Sequence, residues 1–279
     1  MTSAPGTPGA HHAAQTAVIG AGVMGETLLS GLVRAGRRVD ALLVGEKRSE
    51  RARELEERYG VAVVSNVEAA EKAGTIALVV KPQDMADVLA EIAPVLRAGQ
   101  LVVSLAAGIT TSFIEARVPA GVAVVRVMPN TPALVDEGMA AISPGSHCSD
   151  THLAEAESLL ACVGRVVRIP ERQQDAVTAI SGSGPAYIFF VVESMIEAGV
   201  HLGLPRSTAT ELVIQTLVGS GKMLRETGTH PTVLREQVTS PGGTTASALR
   251  ELEDHKVRAA FLAAMEAARN RSRELAEGT

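Results

Sequence analysis

Two glycine- and serine-rich segments in the last third of the sequence have the composition of a small-anion site. They are residues 181–187 (SGSGPAY) and 240–245 (SPGGTT). Because glycine and proline disfavour helix interiors, each segment predicts a helix start, where free backbone N–H groups and the helix dipole attract anions. The second segment also carries the hydroxyls of Thr244 and Thr245. It therefore predicts either a pocket for a small carboxylate with a hydrogen-bonding group beside it, or a plain helix cap.

A third glycine segment, residues 20–25 (GAGVMG), has the pattern of a dinucleotide-binding loop. It follows an apolar strand pattern and opens a helical one, which is the context that this motif requires. Gly20 permits the tight turn, Gly22 lets the backbone approach a pyrophosphate, and Gly25 lets the helix pack closely on the strand. The segment predicts a dinucleotide site.

The residues after the second predicted strand bear on the choice between NAD and NADP. Glu46 stands where an acid binds the ribose 2′-hydroxyl of NAD, whereas Lys47 and Arg48 are suited to a 2′-phosphate. Each of the three is equally compatible with a solvated charge at a helix start. We predict NADP as the preferred cofactor, with Glu46 pointing away and the two cations offsetting its charge, and NAD as the alternative.

Further strand ends should contribute to the same site, because ligands of such sheets bind at the carboxyl ends of the strands. Asn66 follows the third strand and is either a ligand or a helix N-cap. Lys81 follows the fourth strand and offers either its backbone or a solvated side chain. The small residues 105–108 follow the fifth strand, and Asn130 after the sixth either lines a nicotinamide pocket or only fixes a rigid turn.

The first part of the chain predicts the sheet that positions these residues. Its apolar runs recur at intervals that fit crossover helices: 16–19, 41–44, 61–64, 75–80, 101–104 and 122–127, with 139–142 and 165–169 as extensions. Runs of Val, Ile and Leu without alternation indicate strands buried on both faces. Residues 15–170 therefore predict an α/β fold, a Rossmann-type doubly wound, mainly parallel sheet, preceded by a disordered tail at 1–14.

After residue 170 the strand patterns stop and the chain reads as helical. Helices are predicted at 171–180, 185–199, 205–226, 231–238, 244–254 and 256–277. Residues 171–279 therefore predict a second, all-helical domain. Its helices are apolar on more than one side, which a domain of this size cannot bury. They pack either on the sheet domain or on another subunit, and we favour a subunit interface.

Composition argues against nucleic-acid binding, secretion and membrane insertion. A net charge of −5 disfavours a nucleic-acid surface. Residues 1–14 lack the basic start and apolar core of a signal peptide, and the apolar run 186–192 is too short to span a bilayer. Cys148 and Cys162 are isolated thiols, which favours a reduced compartment. We expect a cytoplasmic protein that contacts neither nucleic acid nor membrane.

The sequence also lacks the residues of several common reaction classes. It has no HExxH motif or Cys/His cluster for a metal, no P-loop and no GxSxG nucleophile elbow, and its 7 histidines show no catalytic spacing. A hydroxy-acid dehydrogenase needs a base that moves a proton on and off an alcohol. Reduction of a protonated cyclic imine needs only orientation against the nicotinamide and a hydrogen bond to the ring nitrogen, which a threonine supplies.

Taken in order along the chain, these segments resemble the pyrroline-5-carboxylate reductase family over about residues 16–275. The matching segments are 20–25, 80–82, 106–108, 128–132, 181–187, 203–205 and 240–245, with Ala248 and Leu249 following the last. The resemblance implies hydride transfer from NAD(P)H to 1-pyrroline-5-carboxylate, giving L-proline in the last step of proline biosynthesis. It also implies a homodimer intertwined through the helical domain, often assembled into a decamer of five dimers, with each site shared between subunits.

The resemblance assigns roles to residues that contact the substrate. Thr245 would hydrogen-bond the ring nitrogen and assist its protonation. The backbone N–H groups of Gly243, Thr244 and Thr245 would hold the substrate carboxylate. Glu171 and Gln237 fall where members of the family contact product or cofactor, although Gln237 stands where some relatives carry Asn.

Cofactor contacts follow from the resemblance and from the strand ends. Glu46 departs from the neutral residue that some relatives carry there, which bears against NADP. The expected cofactor-binding residues are Ile19, Gly20, Ala21, Gly22, Val23, Met24, Glu46, Lys47, Asn66, Val79, Val80, Lys81, Pro82, Leu105, Ala106 and Ala107.

Two other functions fit parts of the sequence. One is a β-hydroxyacid dehydrogenase or related imine reductase with Lys222 as its catalytic lysine, although Glu226 stands where an Asn is expected. The other is a nucleotide-sensing protein that keeps the dinucleotide-binding half and does not catalyse. The intact chemistry of residues 240–245 argues against the sensor.

Overall fold

The computed structural model describes residues 15–277, and these form two compact units. The first unit contains the described residues up to Gly182 together with those from Asn270 onward. The second unit runs from Ser183 to Arg269. The predicted tail at 1–14 lies outside the described residues, and the domain ranges 15–170 and 171–279 remain a prediction.

The first unit is built on one sheet. Its strands are β1 Gln15–Ile19, β2 Leu42–Gly45, β3 Ala62–Val64, β4 Ala73–Leu78, β5 Leu101–Ser104, β6 Ala123–Met128, β7 Gly138–Pro144 and β8 Gly164–Arg168. The 8-stranded sheet has the order β3-β2-β1-β4-β5-β6-β7-β8. Neighbouring strands are parallel except β6 and β7, which are antiparallel. The predicted doubly wound, mainly parallel sheet is confirmed, and both predicted extensions are strands of it.

The strand sequences are continuously apolar because both faces of the sheet are covered. Val18 and Val103 are fully buried in one hydrophobic cluster, while their chain neighbours Ala17 and Val102 are fully buried in the other. Successive side chains of a strand point to opposite faces, so both sets of side chains on β1 and β5 are buried, including the polar Thr16 and Ser104.

Seven α-helices accompany the strands in the described part of the first unit up to Gly182. They are α1 Val23–Arg34, α2 Ser49–Tyr59, α3 Asn66–Lys72, α4 Met85–Ile92, α5 Thr111–Glu115, α6 Asp150–Leu160 and α7 Gln174–Val177. α2 ends at Gly60, which has a left-handed φ of 68°. α3 is capped by Ser65, whose hydroxyl accepts the Glu68 N–H at 3.1 Å. The alternative of Asn66 as the N-cap is therefore wrong, since Asn66 is the first helical residue.

The second unit is helical, as predicted. Its helices are α8 Gly184–His201, α9 Arg206–Thr227, α10 Pro231–Gln237, α11 Thr244–Asp254 and α12 Val257–Glu277, the last of which continues into the first unit. Gly203 and Gly228 have positive φ values of 95° and 61° just after α8 and α9. Glycine adopts this left-handed conformation, which commonly ends helices, without a steric penalty. α8 and α9 approach closely where Gly199 faces Ala209: a Cβ on Gly199 would lie 2.9 Å from that of Ala209.

The second unit leaves most of its apolar side chains exposed. Among its described residues Ala209 and Val213 are the buried ones. Its exposed large apolar residues are Ile188, Phe189, Phe190, Met195, Leu202, Leu204, Leu212, Ile214, Leu217, Val218, Met223, Leu224, Val233, Val238, Leu252, Phe261 and Leu262. Apolar surface of this extent marks a contact with another molecule. By length and composition alone, one described helical stretch, Glu171–His201, could also cross a membrane.

The end of α12 packs on the first unit. Ser272 is buried and its hydroxyl donates to the Asp175 carboxylate at 2.8 Å. Gly108, after β5, lies beside Ala276: a Cβ built on Gly108 would be 3.9 Å from the Ala276 Cα. The first unit is therefore assembled from two stretches of chain that are far apart in sequence.

Candidate functional site

The glycine loop between β1 and α1 has the geometry that its sequence predicts. Gly20 has a φ of 95°, and a Cβ there would lie 2.7 Å from the Val79 carbonyl oxygen. A Cβ on Gly25 would lie 2.1 Å from the Gly20 carbonyl oxygen. A Cβ on Gly22 would meet nothing within 4 Å. Gly20 and Gly25 are thus needed for the fold itself, whereas the space beside Gly22 is left open.

Replacing Gly25 with alanine should destabilise the protein. The added methyl group must displace the Gly20 carbonyl, and overpacking of this kind costs about 2 to 3 kcal/mol of unfolding free energy. Denaturant unfolding of the Gly25→Ala variant measures this. Gly22→Ala is the matched control in the same loop, because its methyl group meets no protein atom. Equal stability of the two variants would contradict the packing role of Gly25.

An open cleft of about 360 Å³ lies at the carboxyl ends of β1, β2 and β4. The predicted cofactor residues that line it are Ile19, Gly20, Glu46, Lys47, Asn66 and Val80. The other predicted cofactor residues follow strands at the same edge: Ala21, Gly22, Val23 and Met24 after β1, Val79, Lys81 and Pro82 after β4, and Leu105, Ala106 and Ala107 after β5. An open cleft at the carboxyl ends of three parallel strands, lined by Gly20 of the glycine loop, fits a dinucleotide.

The glycine loop is anchored from α2. Arg51 donates from Nε to the Ala21 carbonyl oxygen at 3.2 Å and also binds the Glu26 carboxylate. Arg58 and Tyr59 donate to the same carboxylate, each at 2.8 Å. Burial would raise the pKa of Glu26, but the hydrogen bonds from Arg51 and Tyr59 outweigh it and hold that pKa below its usual range. The start of α1 and the loop before it are thereby fixed to α2.

Glu46 does not point away from the cleft, so that expectation is wrong. Its side chain is 7% exposed, and Arg48 binds it through the backbone N–H at 2.9 Å and through Nε and Nη2 at 3.0 Å each. Burial would raise the pKa of Glu46, but these hydrogen bonds from Arg48 prevail and lower it. A bidentate partner neutralises the acid within the cleft wall.

Glu91 of α4 joins two predicted cofactor residues, and sequence reasoning missed it. Its Oε2 lies 2.9 Å from Lys47 Nζ and accepts a hydrogen bond from Asn66 Nδ2 at 3.0 Å. The bond from Lys47 holds the pKa of Glu91 below its usual range and raises that of Lys47. Asn66 is buried, so its amide is fixed between β2 and α4. No local sequence signal distinguishes Glu91 from the other acids of an amphipathic helix.

The remaining strand ends are placed as follows. Val79 donates its N–H to the Ile19 carbonyl oxygen at 2.8 Å, which ties the loop after β4 to β1. The Lys81 side chain is exposed, in keeping with the solvated alternative. Asn130 accepts the Met139 N–H at 2.8 Å and donates to the Ser181 carbonyl oxygen at 3.1 Å. Its amide holds the turn, and its contact with a nicotinamide stays a prediction.

The segment 240–245 forms a turn and the start of α11. Gly242 has a positive φ of 68°, and the Gly243 N–H closes the turn on the Ser240 carbonyl oxygen at 3.0 Å. That N–H was expected to face an anion and is used by the turn instead. In the part of the chain that the structure describes, the N–H groups of Thr244 and Thr245 have no partner, as expected in a first helical turn. They can bind a carboxylate, with the half-buried Thr245 hydroxyl beside them.

Glu171 and Gln237, both expected near product or cofactor, have different surroundings. Glu171 is held within the first unit, where the Thr111 N–H and hydroxyl donate to it at 2.8 and 2.6 Å. Buried Arg126 adds a bond at 3.3 Å. Gln237 ends α10 in the second unit and is exposed. Their contact with a ligand remains a prediction.

Lys222, the catalytic residue of the alternative hydroxyacid dehydrogenase, is on the surface of the second unit. Its side chain is 69% exposed, and its Nζ lies 3.6 Å from Glu226 one turn along α9. This is the geometry of an ordinary i,i+4 ion pair. It does not favour a catalytic lysine.

Two family models match the chain. Residues 171–275 match one described as pyrroline-5-carboxylate reductase dimerisation. Residues 15–108 match one described as NADP oxidoreductase, coenzyme F420-dependent.

Relatives and solved structures agree with these matches. The chain is 46% identical to a pyrroline-5-carboxylate reductase of Corynebacterium melassecola over 93% of this chain and 97% of that protein. A solved pyrroline-5-carboxylate reductase of Coxiella burnetii superposes with a TM-score of 0.91 at 36% identity, covering 94% of this chain and 98% of that one. A Plasmodium falciparum pyrroline carboxylate reductase with NADP bound gives 0.83 at 31% identity, covering 95% and 98%. The chain belongs to the pyrroline-5-carboxylate reductase family.

Proposed function

We propose that this protein is a pyrroline-5-carboxylate reductase, which transfers a hydride from NAD(P)H to 1-pyrroline-5-carboxylate and yields L-proline, the last step of proline biosynthesis. The observation that carries the proposal is the glycine loop with its open cleft, in a chain that matches reductases of this name over nearly its full length. The reaction needs a dinucleotide site, a carboxylate site and a hydrogen-bonding group for nitrogen. The described residues offer all three.

In the proposed reaction the protein's own residues bind the substrate, orient it and hydrogen-bond its ring nitrogen. The reduced nicotinamide, when bound, supplies the hydride. The N–H groups of Thr244 and Thr245 bind the substrate carboxylate at the dipole end of α11. The Thr245 hydroxyl donates to the ring nitrogen and assists its protonation. Because a protonated imine is already electrophilic, orientation and this hydrogen bond suffice without a histidine or lysine base.

NADP(H) is the preferred cofactor in this proposal, with NAD(H) as a second substrate. Lys47 and Arg48 line the cleft and carry donors suited to a 2′-phosphate, although each is paired with an acid, and the Plasmodium relative carries NADP. Arg48 neutralises Glu46, so the acid is a weaker obstacle to a 2′-phosphate than its sequence position implies. The further site roles stay as given above: cofactor binding by the strand-end residues, and substrate contact by Glu171 and Gln237. Gly243 is left out, because its N–H closes the turn on Ser240.

The same proposal includes the assembly and setting of the enzyme. We propose that residues 15–170 bind the cofactor and that residues 171–279 form a homodimer. The dimerisation match and the exposed apolar side chains of the second unit support the latter. A decamer of five dimers is the larger assembly that the family resemblance implies. We place the enzyme in the cytoplasm, without a nucleic-acid or membrane partner.

Cofactor oxidation on addition of 1-pyrroline-5-carboxylate tests the function. The purified protein should oxidise NADPH, and NADH more slowly, with L-proline as the product. Lys222→Ala should retain this activity, because Lys222 is an exposed ion-pair residue. Binding of both cofactors without oxidation of either would overturn the reductase and favour the sensor. Loss of activity in Lys222→Ala would favour the hydroxyacid dehydrogenase mechanism.

A further inference from the structure

We propose that Glu91 sets the cofactor preference by holding Lys47, so that the lysine is not free to bind the 2′-phosphate of NADP(H). Glu91 is then a positioning residue that weakens the preference for NADP(H) over NAD(H). The inference rests on the proposed function, in that it takes the cleft between β1, β2 and β4 as the dinucleotide site. It adds a residue that neither the glycine motif nor the strand ends identify.

The contacts of one carboxylate oxygen carry the inference. Glu91 Oε2 lies 2.9 Å from Lys47 Nζ and 3.0 Å from Asn66 Nδ2. Lys47 follows β2 and Asn66 opens α3, so Glu91 binds residues from two neighbouring strand ends at once. Both residues line the dinucleotide cleft, and Glu91 lines the adjoining cleft that shares them. The Glu91 carboxylate therefore holds two residues, Lys47 and Asn66, that line the cleft.

The ion pairs around the cleft explain how Glu91 weakens binding of a 2′-phosphate. Arg48 is bound to Glu46, and Lys47 is bound to Glu91, so each cation after β2 is paired with an acid. The Lys47 side chain is 70% exposed and Glu91 30% exposed, which leaves the ion pair accessible to solvent and ligands. A 2′-phosphate must compete with Glu91 for Lys47, and Glu91 also repels it. The 2′-hydroxyl of NAD(H) is uncharged, so Glu91 does not repel it and its binding does not depend on Lys47.

Asp87 provides a test of whether charge alone is responsible. It stands on α4 one turn before Glu91, lines the cleft, and acts on Lys47 through its charge only. If general charge sets the preference, neutralising Asp87 and neutralising Glu91 will have equal effects. If the direct bond to Lys47 sets it, Glu91 will have the larger effect.

The experiment measures binding of NADP⁺ and NAD⁺ to the full-length protein by calorimetric titration without substrate. Glu91→Gln removes the charge and frees Lys47, while its amide oxygen still accepts the Asn66 bond. We expect the NADP⁺-to-NAD⁺ affinity ratio to rise about fivefold, the size expected when one partly exposed ion pair is released. Asp87→Asn should raise it less. Glu71→Gln, which breaks an exposed pair with Arg97 outside the cleft, should leave it unchanged.

A double-mutant cycle shows whether Glu91 acts through Lys47. In a Lys47→Met background, Glu91→Gln should raise the ratio less than it does in the wild-type background, because the lysine it positions is gone and only its repulsion of the phosphate is relieved. An unchanged ratio in Glu91→Gln, or an equal rise with and without Lys47, overturns the inference while leaving the reductase intact. Wild-type protein that binds neither nucleotide overturns the proposed function and this inference together.

Discussion

Replacing Gly22 with valine will leave the protein folded and lower its affinity for NADPH about a hundredfold, a loss of ~2.8 kcal/mol. A side chain at this position meets no protein atom within 4 Å, and the backbone angles, φ −70° and ψ −168°, suit any residue. The space that the valine enters is therefore the space that the pyrophosphate needs. Fluorescence titration with NADPH measures the affinity, and thermal unfolding confirms the fold.

A graded series separates steric exclusion from loss of backbone flexibility. Gly22→Ala should weaken binding less than Gly22→Val, since the smaller side chain intrudes less on the same space. Both variants should unfold at the wild-type temperature. Normal NADPH affinity in Gly22→Val would show that the dinucleotide does not approach this loop, and the assignment of the cleft would fail.

Replacing Thr245 with valine will lower kcat about a hundredfold, the lower end of the range for a lost proton-transfer group. Valine keeps the shape of threonine and the backbone N–H, so carboxylate binding at the start of α11 is retained. The hydroxyl that hydrogen-bonds the ring nitrogen is lost. Steady-state kinetics should show the fall in kcat with a smaller change in KM for 1-pyrroline-5-carboxylate, and NADPH affinity should not change.

Ser247 supplies the matched control for Thr245. It stands two residues further along α11, and its hydroxyl is exposed and turned to the Gly243 carbonyl oxygen at 3.4 Å. Ser247→Ala should keep wild-type kcat. Full activity in Thr245→Val would remove the hydroxyl from the mechanism and leave orientation alone to account for the rate.

Much of the fold was predictable because its strands and helix ends depend on residues that are close together in the sequence. Uninterrupted apolar runs such as 101–103 have no polar face, and both faces of β5 are covered in the structure. Gly203 and Gly228 mark helix ends because left-handed backbone favours glycine. The glycine loop was predictable residue by residue for the same reason: each glycine has a separate steric requirement.

The electrostatics of the site were not predictable, because they depend on residues distant in sequence. The sequence shows Glu46, Lys47 and Arg48 as neighbours but not that Arg48 folds back onto Glu46. Lys47 is paired with Glu91, 44 positions later on another helix. The Gly243 N–H looked available because turn hydrogen bonds cannot be assigned from composition. Charge type and spacing thus identified residues that line the cleft but not their partners.

The return of α12 to the first unit has a consequence for how the protein is made on the ribosome. The sheet strands and most of their helices emerge before residues 183–269, and the stretch that carries Ser272 and Ala276 emerges after them. Domains tend to fold in the order of synthesis, so the sheet can form early. The contacts at Asp175 and Gly108 must wait for that later stretch. The turn after β5, which carries predicted cofactor residues, is therefore among the last parts of the nascent chain to reach its final surroundings.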